Sequence, residues 1–291
     1  MGPWNATISL VVAAICFGLA PWFAKNLVDA GIAPISVAFY RFLTTAVVLL
    51  IFLDVSRRKY KETLWSMASG VAIGIGWITY VGALRTAPVA TVGVIYMTYP
   101  LFTLVIASVW LRQPPTQRSL ISGCLVLGAA AIALAPSLSI LPMLSALLLA
   151  FLAPIGFAFA ICVLTQKLFS LDPIQRSAGV SLGAVVGLAP FIATQNSNAL
   201  LPSDIYGWWM ILGISVVTAL IPNMLFATAG PVVGSSRTAA ASSFELPVMF
   251  IVGLVGFNET IGVSQVVAGA LIIIAILVSP VVTPARLRQS P

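Results

Sequence analysis

The sequence contains no histidine. That one absence removes a Ser-His dyad, a His-Glu-x-x-His metal site and a histidine proton relay. Charge is scarce as well: 7% of the 291 residues are charged, against 60% apolar. A water-soluble domain of this length needs far more polar surface, so lipid is the implied solvent. The three cysteines, Cys16, Cys124 and Cys162, all fall within apolar runs, where a thiol behaves as a small apolar group. They form no disulfide or metal-ligand pattern. No aspartate lies in the middle of an apolar run, which leaves a paired-aspartate intramembrane protease without support. A cofactor-free lyase or transferase stays open in principle, but no residue nominates one, and no cofactor or metal is expected.

What is present is a succession of apolar runs. A spanning helix takes roughly 20 predominantly apolar residues, and ten such runs can be counted. They are Ala6 to Val28, Pro34 to Asp54, Leu64 to Arg85, Val89 to Leu111, Gln117 to Pro136, Ile140 to Leu168, Ile174 to Gln195, Ile205 to Ala229, Gly234 to Phe257 and Gly262 to Thr283. They show no period-two alternation, and backbone in lipid must satisfy its own hydrogen bonds, so an all-α bundle is expected rather than a barrel. The first run is too long for the apolar stretch of a signal peptide and has no basic flank, so it reads as a retained first span.

The formal charge of +7 does not point to nucleic acid, because the basic residues sit between the spans. Eleven of them fall on the side of the N-terminus: Arg57, Arg58, Lys59, Lys61, Arg112, Arg118, Lys167, Arg176, Arg237, Arg286 and Arg288. Three, Lys25, Arg41 and Arg85, fall toward the other side. The positive-inside rule then puts both termini in the cytoplasm.

Two stretches half a chain apart run in parallel. Ala33-Pro34-Ile35 is echoed by Asp172-Pro173-Ile174, Tyr99-Pro100 by Leu246-Pro247, and Ser119 with Gly123 by Gln265 with Gly269, at spacings of 139, 147 and 146 residues. The expected halves are residues 1–137 and 138–291. Each holds an odd number of spans, so the second sits upside down relative to the first. Inverted repeats are the plan of many secondary transporters, with the substrate site near the midplane; they also occur in channels, so the pattern alone leaves both open.

The elements Phe17-Gly18 through Trp22 and Lys25, then Phe39-Tyr40-Arg41-Phe42, then mid-helix Pro100, then Glu259 followed ten residues later by Gly269, resemble the two EamA repeats of the drug/metabolite transporter superfamily. Within it the chain is most similar to the YddG-type exporters of aromatic and other amino acids of the bacterial inner membrane. The resemblance implies a central cavity between the halves, lined mainly by helices 1, 3, 4, 6, 8 and 9. The sequence departs from the pattern at Arg112-Gln113, where these repeats commonly carry a glutamate like Glu259.

Helices 3 and 4 are antiparallel neighbours joined by a tight turn near Thr86 to Pro88. Counting outward from that turn puts Trp77 and Tyr80 level with Tyr96 and Tyr99, and the i, i+3 spacing sets each pair on one face. Such rings would stack a planar substrate and orient it through indole N–H and hydroxyl groups; an aromatic belt fits the same residues. On helix 6, Pro154, Gly156, Phe157 and Phe159 mark a bend, with Phe159 preferred as the site residue, and Trp22 stands in the matching place on helix 1. Glu245 is the one acid in mid-span, one turn beyond Ser242, with Asn223 of helix 8 within expected reach. A mid-span acid faces a partner or water, so Glu245 reads either as an ammonium or proton site or as a hydrogen-bonded structural glutamate. Arg41, some seven residues into helix 2, with Lys25 and Arg85 nearer the same outer face, would draw a carboxylate into an outward-facing vestibule, Arg41 being the best placed, or else the three snorkel or pair locally, for example with Asp29. The glycine series Gly70 and Gly74, and Gly179, Gly183 and Gly187, reads as helix packing.

The expected substrate-binding set is therefore Trp22, Arg41, Trp77, Tyr80, Tyr96, Tyr99, Phe159, Asn223, Ser242 and Glu245, serving an aromatic amino acid. Flat cations would suit the same rings through cation–π contact. A passive channel needs a continuous polar pore that these few polar residues do not supply.

Overall fold

The computed structural model describes residues 2–54, 56–110, 112, 116–133, 144–195, 200–242 and 244–278. Gln113, Arg286 and Arg288 lie outside them, as do the expected span ends at Leu111, Pro136, Ile140 and Thr283 and the side chain of Arg237. Every regular element among the described residues is a helix. Six segments are long and apolar enough to cross a membrane: Trp4–Asp29, Pro34–Phe52, Tyr60–Ala83, Val89–Val109, Leu144–Leu164 and Ile205–Ala229. Leu120–Ile132, Glu245–Gly256 and Val263–Ala275 are shorter apolar helices.

In chain order the elements are α1 (Pro3–Gly18), α2 (Ala20–Asp29), α3 (Pro34–Leu49), α4 (Tyr60–Ala83), α5 (Val89–Tyr96), α6 (Tyr99–Val109), α7 (Gln117–Ala133), α8 (Leu144–Ala150), α9 (Leu152–Gln166), α10 (Pro173–Ile192), α11 (Ile205–Ser215), α12 (Ile221–Ser242), α13 (Glu245–Ile251) and α14 (Val263–Val278). Asp172 starts α10 with a capping box closed by Gln175, and the Asp204 carboxylate accepts from Gly207 N–H at the start of α11.

Five expected spans are broken, and in each the segment after the break opens with a proline among its first three residues. The breaks fall at Leu19, before Pro21; at Met97 and Thr98, before Pro100; at Phe151, before Pro154; in the π-helical turn Val216–Leu220, before Pro222; and between Ser242 and Glu245, before Pro247. Proline has no N–H to bond the carbonyl four residues back, and its ring crowds that carbonyl, so the helix yields just upstream. These discontinuities free backbone acceptors at mid-span.

One boundary differs from expectation. The eighth span was expected to end at Ala229 and the ninth to begin at Gly234, yet α12 continues through Pro231 to Ser242 and the interruption falls after it. A proline in a membrane helix removes a hydrogen bond without necessarily ending the helix. Pro247, by contrast, does sit beside an interruption.

The packing repeats itself with the halves exchanged. α4 packs along α9, and α1 along α12; α6 packs on α9, and α1 on α13; α3 pairs with α10, and α7 with α14. The closest approach is between α4 and α10. A Cβ added to Gly70 would strike the Val180 carbonyl, and one on Gly183 the Met67 backbone. Contacts climb both helices in the same direction, from Ser66 with Gly179 to Gly74 with Leu188, so α4 and α10 run parallel. The small-residue stripe therefore works as helix packing, as read from its spacing. This pair also closes the lysine- and arginine-rich end of the bundle, where Ser66 Oγ donates to the Arg176 carbonyl, Lys59 Nζ to Gln175 Oε1, and Ser170 N–H to the Glu62 carboxylate.

Candidate functional site

A run of aromatic rings crosses from α4 to α6 in the middle of the bundle. Trp77 and Tyr80 lie 4.9 Å apart between centroids, Tyr80 and Tyr96 5.6 Å, and Tyr96 and Tyr99 6.1 Å. The i, i+3 spacing on α4 explains the first contact, and the tight connection between Ala83 and Val89 brings Tyr80 against Tyr96. The second half of the chain contributes Phe157 of α9, edge-on to Tyr99 at 5.0 Å and tilted on Tyr96 at 5.7 Å. All four expected rings are buried.

Arg41 reaches this row from α3. It is 4% exposed, its guanidinium carbon stands 3.4 Å from the Trp77 ring centroid, and Nη2 donates to the Thr218 carbonyl at 2.7 Å. That carbonyl lies four residues before Pro222, which has no N–H to give it. A helix defect in one half thus supplies an acceptor for a cation of the other. Glu245, 6% exposed, opens α13. It stands within electrostatic reach of Arg41, Tyr80, Tyr96 and Tyr99, but among the described residues it forms no ion pair. Ser242 lies beside the Tyr99 hydroxyl and interacts with it. Gly18, at the break in the first span, lets α1 lie against the Glu245 carbonyl and Val248.

Seven of the ten expected site residues, Arg41, Trp77, Tyr80, Tyr96, Tyr99, Ser242 and Glu245, therefore come together. The other three do not join them. Phe159 stacks on Trp110 at 5.6 Å and approaches Trp65 at 6.5 Å, on another face of α9. Two residues along a helix turn the side chain well over a quarter circle, so Phe157 and Phe159 cannot share a face. Trp22 packs on Phe257 at 5.6 Å and lines an apolar crevice of about 350 Å³ with Leu19, Phe23 and Val255. Asn223 is half-buried beside Pro222, and among the described residues no hydrogen bond joins it to Glu245.

A second polar group lies at the end of the bundle opposite the basic one. Lys25 Nζ pairs with Glu259 Oε1 at 2.7 Å and sits 4.6 Å from the Phe257 ring centroid. The other carboxylate oxygen accepts from Val89 N–H at 2.8 Å, capping α5. Asn258, with φ of 51°, turns the chain so that Glu259 folds back onto α5. Asp29, expected as a local partner for the basic residues here, is exposed, as is Arg85; the partner of Lys25 is 234 residues away.

The profile of the EamA-like transporter family matches residues 4–135 and 144–279. No curated protein matches the chain. A solved crystal structure described only as that of a protein is 13% identical, covers 98% of this chain and 99% of its own, and superposes with a TM-score of 0.62. At that identity the likeness is one of fold.

Proposed function

Because the chain belongs to the EamA-like transporter family, and so is a membrane transporter of small molecules, we propose that it exports aromatic and related amino acids across a bacterial inner membrane. Its ten spans form two inverted five-helix repeats, residues 1–137 and 138–291, with both termini in the cytoplasm. The halves rock about the central aromatic cluster, opening it alternately to each side. The observation that carries this reading is the composition of the cluster: a wall of rings contributed by both halves, with one cation and one acid buried beside it.

The chemistry follows from those parts. Tyr96, Tyr99 and Phe157 present faces and edges to a planar side chain. Glu245 opposes the ammonium and Arg41 the carboxylate, so a zwitterion neutralises both. A flat organic cation is the second reading, favoured by Glu245 beside ring faces, and it leaves Arg41 without a role.

The test is uptake of radiolabelled phenylalanine into proteoliposomes holding the purified protein, competed with tryptophan, threonine and methyl viologen. Saturable uptake blocked by tryptophan and indifferent to methyl viologen supports the amino-acid reading. No phenylalanine uptake by folded, reconstituted protein, or block by methyl viologen alone, overturns it.

A further inference from the structure

We infer that Arg41 and Tyr80 form a carboxylate seat within the cluster, which makes an acidic group an obligatory part of the transported molecule. The inference rests on reading the cluster as the transport site, and it goes further by assigning which end of the substrate that site cannot do without.

A guanidinium carries five N–H donors, no acceptor and a permanent charge. Of the three nitrogens of Arg41, Nη2 donates to the Thr218 carbonyl, whereas Nε and Nη1 are buried with no hydrogen-bond partner among the described residues. The Tyr80 hydroxyl, on a side chain 2% exposed, is in the same condition. Trp77 touches both: the Arg41 guanidinium carbon stands 3.4 Å from its ring centroid, and the Tyr80 ring centroid lies 4.9 Å from it. Unpaired donors of both residues therefore lie around one ring, within electrostatic reach of each other, and the Arg41 charge has no carboxylate within ion-pair distance among the described residues.

Such an arrangement is unfavourable for stability alone. A buried cation needs a counter-charge, and buried N–H and O–H groups need acceptors. The Trp77 face offsets part of the charge but accepts no hydrogen bond from the nitrogens in the guanidinium plane. A carboxylate supplies what is missing, with one negative charge and two oxygens that accept several hydrogen bonds. Glu245 is too far to fill the place itself, yet its charge lies close enough to penalise a second negative charge on the ligand. The seat thus suits a monocarboxylate on an aromatic body, with an ammonium tolerated or welcomed toward Glu245.

The experiment separates the two ends of phenylalanine, using thermal unfolding of the purified full chain. The probes are 3-phenylpropionate, which keeps the carboxylate, and phenethylamine, which keeps the ammonium. For the wild type, 3-phenylpropionate is expected to raise Tm at concentrations at least about tenfold below those phenethylamine requires. In Arg41→Gln that preference is expected to vanish, and in Tyr80→Phe to shrink by about three- to tenfold. If Arg41→Gln does not fold, Tyr80→Phe and Arg41→Lys carry the test, since Lys keeps the charge and loses the forked donors. Equal stabilisation by acid and amine, or an acid preference that survives Arg41→Gln or is untouched in both Tyr80→Phe and Arg41→Lys, overturns the seat. Stabilisation by 3-phenylpropionate in a protein that does not transport phenylalanine overturns the amino-acid reading and leaves the seat standing.

Discussion

Lys25 and Arg41 lie in the same half of the chain, each close to an aromatic ring, and their surroundings are opposite. Lys25 is paired: Glu259 takes its charge, Val89 shares that carboxylate, and Phe257 lies beside it. Arg41 is more deeply buried; it has one carbonyl and the rings of Trp77 and Phe42, and two of its nitrogens have no hydrogen-bond partner among the described residues. The first arrangement is what folding selects, since it ties the ends of helices from both halves together with their polar groups satisfied. The second costs stability, and a protein retains such a cost where a ligand relieves it. On the proposed reading, difference in satisfaction, more than difference in burial, separates the structural cation from the one that meets substrate.

The comparison can be broken by substitution. Arg41→Gln is expected to have the largest effect, reducing phenylalanine uptake by about a hundredfold or more, while Tm measured without substrate stays level or rises because an uncompensated charge is gone. A large fall in Tm would class Arg41 with Lys25. Glu259→Gln should do the reverse, lowering stability by about 1–3 kcal/mol as Lys25 loses its counter-charge, with Lys25→Met recovering part of that loss in the double variant. Thermal unfolding of the four proteins of that cycle measures the coupling, and zero coupling would remove the pair from the account.

Tyr99→Phe probes the cluster more gently. It keeps the ring and removes the hydroxyl that faces Ser242, so the half-saturating phenylalanine concentration should rise by about two- to tenfold, read from initial uptake rates. Phe159→Ala is expected to do least, within about twofold of wild-type uptake, because its ring stacks on Trp110 outside the cluster. A loss approaching that of Arg41→Gln would return Phe159 to the site.

The aromatic row was legible because local rules determine it. Spacing of i, i+3 on α4 and a short turn into α5 bring Trp77 and Tyr80 toward Tyr96 and Tyr99 whatever the rest of the bundle does. Glu245 was legible as a lone acid in an apolar run, and Arg41 as a cation too deep for its helix end. The choice between Phe157 and Phe159 was not, because it depends on how α9 is rotated after the break at Phe151, and tertiary packing sets that rotation. The Lys25–Glu259 pair joins residues 234 positions apart, a distance over which local pattern says nothing. The role of the Thr218 carbonyl had a signal, Pro222 four residues later, but the recipient of a freed acceptor is decided by the neighbouring helix. The separation expected between Ala229 and Gly234 is not a helix end, because α12 runs through Pro231 to Ser242, and a proline in a membrane helix does not by itself end it.

The most direct measurement is counterflow of labelled phenylalanine in proteoliposomes holding wild type or Arg41→Gln, each shown to be folded by its thermal unfolding curve. Accumulation driven by preloaded phenylalanine in the wild type, absent in the variant, is the predicted result. Equal counterflow in both, or none in the wild type, contradicts a transport site built around Arg41.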